Sequence, residues 1–182
     1  MKRVIVAPAA LSGAPLAELK SWLAVRTDQD DALLEAQLRA ALDMCESFTG
    51  TMPLTQLCEE VLPAVQRPLA LSARPVAQLL EARRLDLPGA RPYLDDADYT
   101  FTLDADGTGR FLLTRPVAEQ RLLVRYTAGL AEDWEMLDVG LRQGIIRLAA
   151  HFHGERGADA QTRSPPASVA ALWQPWRRLR LR

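Results

Sequence analysis

The chain has 182 residues, a formal net charge of -1, 48% hydrophobic residues and 25% charged residues. These values fit a soluble globular chain of one domain with an insertion or appendage, and they exclude a protein built mainly to coat nucleic acid, which needs a strong basic excess. A compact chain of this length buries roughly 70% of the surface it exposes when unfolded, so a real core is expected.

The opening "MKRVIVAPAAL" has two basic residues before a short apolar run that Pro8 interrupts. A secretory signal is not expected there. No run approaches the ~18 uninterrupted apolar residues of a membrane span, so no membrane partner is expected.

Helix comes next. "PLAELKSWLAV" has Pro15 at a plausible first helical position and apolar Leu16, Leu19, Trp22 and Leu23. "TDQD", from Thr27 to Asp30, has the form of a capping box. It predicts a long helix to Phe48 or Thr49 with Leu34, Leu38, Ala41, Leu42, Cys45 and Phe48 on one stripe, stopped by Gly50.

From about residue 57 to 126 the pattern is β-like. Prolines 63, 68, 75, 88 and 92 exclude a long helix. "CEEVL", "LALSA" and "VAQLLEARRL" are candidate strands. "DYTFTLDADGTGRFLLT" predicts a hairpin around a D-G turn, and "RLLVRYTAG" a further strand. Helix returns between 132 and 154, where Leu137, Leu141, Ile145, Leu148 and Phe152 recur at helical spacing. A polar stretch closed by Pro165 and Pro166 leads to "SVAALWQPWRRLRLR". The expected plan is a mainly α protein with a small antiparallel β insertion. A connector domain would span 1–166 (helices 15–49 and 132–154, insertion about 57–126), and an extended C-terminal tail 167–182.

The chemistry-bearing groups are few. "HFHGE" suggests a metal, but His151 and His153 are two residues apart and point to nearly opposite sides of a helix; a helical zinc pair needs i,i+4. "DADGTG" lacks the glutamate that a calcium loop needs at its twelfth position, where Leu113 stands. Asp95, Asp96 and Asp98 form an acidic loop without a partner constellation. No phosphate loop, dinucleotide fingerprint or nucleophile elbow is present. Cys45 and Cys58 read as buried thiols rather than a disulfide framework. The chain is therefore expected not to be an enzyme, with no catalytic residue, no cofactor and no metal.

The tail differs. Asp159 is the last acidic residue, and Arg163, Arg177, Arg178, Arg180 and Arg182 follow it. Tryptophan and arginine dominate binding hot spots, and arginine pairs bidentately with carboxylate or phosphate. A docking segment is expected, with Val169 and Leu172 at i,i+3 and Trp173 at i+4 as a short apolar face. Pro175 is expected to end the turn, leaving Trp176 and the arginines extended.

"LLEAQLRAALDMCESFTG", "RLLVRYTAGL", "LRQGIIRLAAHFHGERG" and "PPASVAALWQPWRRLRL", in that order, resemble the head–tail connector, or adaptor, proteins of long-tailed phages and of phage-derived gene transfer agents. The resemblance implies a largely α-helical connector fold with a β insertion. It also implies a ring of about a dozen copies, closed by heterologous contacts, beneath the portal of the capsid. Its partners would be the portal protein, a stopper or tail-completion protein, further copies of itself, and DNA passing non-specifically through the channel. It would be located at the head–tail junction of the virion, assembled in the bacterial cytoplasm. The residues matching the portal-docking segment are Leu172, Trp173, Trp176, Arg177 and Arg178; Val169 and Arg180 join them from the pattern above. The alternative is a small DNA-binding or packaging accessory using the arginine tail on phosphates.

Overall fold

The computed structural model describes residues 2–85, 92–154 and 164–177. The elements run β1 (Lys2–Ala7), α1 (Ala14–Leu23), α2 (Asp31–Thr49), β2 (Gln56–Pro63), β3 (Leu69–Ala70) and β4 (Val76–Arg84). They continue with β5 (Tyr99–Leu103), β6 (Gly109–Leu113), β7 (Arg121–Ala128), α3 (Val139–Gly154) and α4 (Ala167–Trp173). Short 3-10 turns stand at Asp96–Asp98 and Gln174–Trp176. The chain divides into two compact units: Met1–Pro8 with Thr55–Leu130, and Ala9–Leu54 with Ala131–Arg182.

In the helical unit, α1 begins with Pro15 in its first turn and ends at Ala24, whose left-handed backbone lets its N–H reach the carbonyls of Lys20 and Ser21. Lys20 Nζ donates to Asp28 and Asp31 at 2.7 Å each, tying the α1–α2 connection to the start of α2. The expected capping box is not made. Asp30 precedes α2 with φ -101 and ψ 5, outside the extended region from which a cap side chain reaches back, and it makes no cap bond. The stripe is as expected: Leu34, Leu38, Ala41, Leu42 and Cys45 are buried, and Gly50 closes the helix at φ 76. The second long helix starts later than the periodicity implied, at Val139. Its opening is set by Asp138, whose carboxylate accepts the Gly140 N–H at 2.7 Å. Leu141, Ile145 and Leu148 then pack with the α1 and α2 stripes into one apolar core.

The sheet unit holds two antiparallel sheets, in the orders β1-β2-β7-β4 and β3-β6-β5. In the first, Gln56, Cys58, Glu60 and Leu62 stand opposite Ala128, Tyr126, Val124 and Leu122, and all eight are buried. The opposite face carries an ion-pair ladder, with Arg125 between Glu59 and Glu81, and Glu81 also holding Arg83. Leu69, Phe111 and Leu113 form the buried side of the second sheet. The "DADGTG" stretch is the hairpin turn between β5 and β6: Gly107 takes φ 75 and donates to the Asp104 carbonyl at 2.9 Å. One buried polar group ties strand to loop. Glu60 Oε2 accepts from Ser72 N at 3.0 Å, Ser72 Oγ at 2.9 Å and Tyr126 Oη at 2.9 Å.

The fold corrects the expected class. Among the described residues the protein is mixed α and β, 36% helix and 28% strand, with four helices and seven strands in two sheets; it is not a mainly α bundle. Two causes are visible. The N-terminal residues, in which neither a secretory signal nor a strand was expected, form β1 and pair with β2, so the sheet recruits chain from outside the expected insertion. The sheet unit also has its own buried core and is not a small appendage on helices. Nor does the C-terminal stretch extend freely: α4 and the turn after it pack in the helical unit, with Val169 and Trp173 in its core.

Candidate docking site

The site begins with two glycines one helical turn apart on α3, Gly140 and Gly144. Glycine inside a helix costs about 1 kcal/mol against alanine, so a pair of them calls for a packing reason. The reason is the two tryptophans. A Cβ on Gly144 would stand 2.7 Å from Cε2 of Trp173 and closer still to its Nε1, and a Cβ on Gly140 would stand 3.0 Å from Trp176. The glycines therefore cut a notch along α3 that takes both indoles.

Trp173 is completely buried there. Its Nε1 donates to the Leu141 carbonyl at 3.3 Å, which satisfies the one polar group of the ring. Its ring meets Phe48 of α2 at 6.1 Å between centroids, tilted by 49°. Val169, one turn earlier on α4, is also buried. Pro166 opens α4, and its carbonyl accepts from both Val169 N and Ala170 N at 2.9 Å. Leu172 and Trp176 are half-buried against the same core. Pro175 sits inside the 3-10 turn and Trp176 closes it, so the extended backbone begins at Arg177. The Arg177 guanidinium carbon lies 5.0 Å from the Phe48 ring centroid, a cation–π distance, while the side chain stays at the surface.

Of the residues expected to dock, the structure brings Val169, Leu172, Trp173, Trp176 and Arg177 together at one end of the α2–α3 pair. Arg178 and Arg180 lie outside the described residues. Two of the five are core residues. Sequence reasoning missed the acceptor half of the site, Gly140 and Gly144; their i,i+4 spacing within "VGLRQG" was the available signal.

The other candidates fall into structural roles. Asp98 faces Arg84 and Arg115, each at 3.7 Å, and Asp96 accepts from Tyr99 Oη at 3.1 Å. Cys45 and Cys58 are buried thiols not joined in a disulfide, and burial pushes the Cys45 thiol up in pKa, away from nucleophilic use. Among the described residues, no helix is long and apolar enough to cross a membrane, and no cluster of three potential metal ligands occurs.

No family model and no curated protein matches the sequence. Solved structures do. A chain of the neck of an empty gene transfer agent particle, computed with C6 symmetry, superposes with a TM-score of 0.81 at 26% identity, covering 100% of this chain and 97% of that one. A chain of the native gene transfer agent virion gives 0.76 at 25% identity, and one of the native particle's neck, computed with C12 symmetry, gives 0.76 at 26%, both with the same coverage. Across its whole length, then, this chain has the fold of a neck protein, a structural part of a particle. More particularly, it is similar to the neck chains of gene transfer agents, in agreement with the resemblance that the order of its segments carries.

Proposed function

We propose that this protein is an adaptor. Copies of it form a ring at the head–tail junction, joining the capsid portal to stopper or tail components, and DNA passes through the ring. The observation that carries this reading is the match, over the full length, to chains of particle necks computed with sixfold and twelvefold symmetry. A near-neutral chain suits such a channel, because DNA affinity rises with every phosphate that meets a cation.

The C-terminal segment is the proposed portal contact, divided into two parts. Val169 and Trp173 root it in the helical unit, with Leu172 beside them. Trp176, Arg177, Arg178 and Arg180 make the contact, the arginines giving orientation and capture rate. Rooting sets Arg177, the first arginine of the segment, beside Phe48 at the C-terminal end of α2.

Light scattering of the full chain, alone and mixed with the portal protein of the same particle, tests the reading. The expected result is a ring of about a dozen copies on the portal, the number applied to one of the similar necks. A stable two-fold dimer that the portal leaves unchanged would sink it. Salt separates this reading from a DNA-binding accessory. A contact through about four phosphates weakens steeply with ionic strength, and a tryptophan-anchored protein contact weakens much less.

A further inference from the structure

Sheet edges expose unpaired N–H and C=O groups, and folds usually guard them with short strands, bulges or a covering segment. The sheet unit has four edges, and two are guarded. β3 is only two residues long. β4 has two register irregularities and is covered near its end: Arg83 bridges Tyr93, Arg84 N donates to the Pro92 carbonyl and Leu94 N to the Ala82 carbonyl, both at 2.9 Å.

The other two edges are open among the described residues. β1 has β2 as its sole neighbour, and β5 has β6. β1 is regular from Lys2 to Ile5, with one irregularity before Ala7, and β5 is regular throughout. Both expose large apolar side chains that an edge would ordinarily avoid: Val4 at 52%, Val6 at 45% and Leu103 at 51%.

These edges lie on opposite flanks of the unit. The chain just after β3 is bound to β2 through Ser72 and Glu60, which puts the β3 side of the second sheet over β2, the neighbour of β1. The residue just before β5, Asp98, faces Arg84 of β4, which puts β5 at the far side.

We propose that β1 of one copy pairs with β5 of the next, so that backbone hydrogen bonds between sheets close the ring. Two different open edges on opposite flanks are what a head-to-tail ring contact requires; a two-fold dimer would use one edge twice. The proposal rests on the ring reading above and supplies its interface.

Cross-linking tests it. Full-length Val4→Cys and Leu103→Cys chains are prepared singly, and thermal melts confirm that each folds like the parent. Val6→Cys and Thr102→Cys replace any that does not. The two are mixed, rings are isolated by size and treated with a short bismaleimide, which tolerates a residue or two of register. Cys45 and Cys58 are buried, and the parent chain controls for them. The expected result is linked 4–103 pairs in the mixture, and a ladder of multimers when both substitutions sit in one chain. Rings without such links overturn edge pairing and leave the ring reading standing. Val4→Cys linking to itself in the unmixed sample also overturns it, in favour of a two-fold contact. If no ring forms, with or without the portal, both fall together.

Discussion

Gly144 of α3 and Trp173 of α4 are lock and key: the indole occupies the space that any side chain at 144 would need. The nearest atoms are those of a fully buried ring, held by its bond to the Leu141 carbonyl, so it has little room to give. Gly144→Ala should therefore destabilise the helical unit by about 1–3 kcal/mol, the usual cost of overpacking. Gly154→Ala is the control, because a Cβ there meets nothing within 4 Å. Urea unfolding of the two variants checks the contrast; equal midpoints would mean that Trp173 is not seated in the notch.

The two tryptophans should behave differently when removed. Trp173→Ala empties a core site and should cost about 3–5 kcal/mol. Trp176 is half-buried at the rim, so Trp176→Ala should lower stability less, yet should impair attachment of tails to heads more than Arg182→Ala does. Thermal melts and counts of tailed particles, taken on the same variants, separate the two roles. A Trp176→Ala chain that assembles tailed particles at the parent's yield would remove Trp176 from the contact.

The helices were legible because burial on one side leaves a periodic stripe, and Leu34 to Cys45 and Leu141 to Leu148 follow it closely. β2, β6 and β7 were legible from alternation and the D-G turn. β1 was not: apolar Val4 and Val6 are exposed beside half-buried Ile5, so apolar and polar residues do not alternate, and its partners lie fifty or more residues away. The tail was half legible. Its tryptophans and arginines announced a contact, but whether an aromatic group packs in its own chain or on a partner depends on the surface it meets. That surface is a pair of glycines, which carry no hydrophobic signal at all.

Alkaline pH should weaken the protein, with a traceable cause. Burial, and next the neighbouring Glu60 carboxylate, hold the Tyr126 phenol above its ordinary value of 10.0. Burial holds the Cys45 thiol above 9.0. A raised folded pKa means that the unfolded chain releases these protons first, so stability is full below those values and falls as pH rises past about 9 and then about 10. Tyr126→Phe should lose stability at neutral pH, by about 1–3 kcal/mol, because Glu60 forfeits a buried donor. It should also flatten the decline above pH 10. Urea midpoints of parent and variant between pH 7 and pH 11 check both; parallel curves would show that Tyr126 ionises as it does in water.

Truncation locates the boundary between root and contact. Removing everything from Ala167 onward deletes Val169 and Trp173 from the core, uncovers Phe48 and leaves the Gly140–Gly144 notch empty. Loss of two buried side chains, one of them tryptophan, is a large share of the 5–15 kcal/mol that holds a typical domain folded. That variant should melt far below the parent and expose an apolar groove prone to aggregation. Ending the chain after Arg177 removes none of these contacts. It takes away Arg178, Arg180 and Arg182, so it should melt like the parent while yielding heads without tails. Differential scanning calorimetry and electron microscopy of the resulting particles, applied to both truncations, read fold and attachment independently. If the chain ending at Arg177 still gives tailed particles at normal yield, the arginines beyond it are not part of the contact. If the chain ending before Ala167 melts like the parent, α4 is not a core element and the segment is free to dock as a whole.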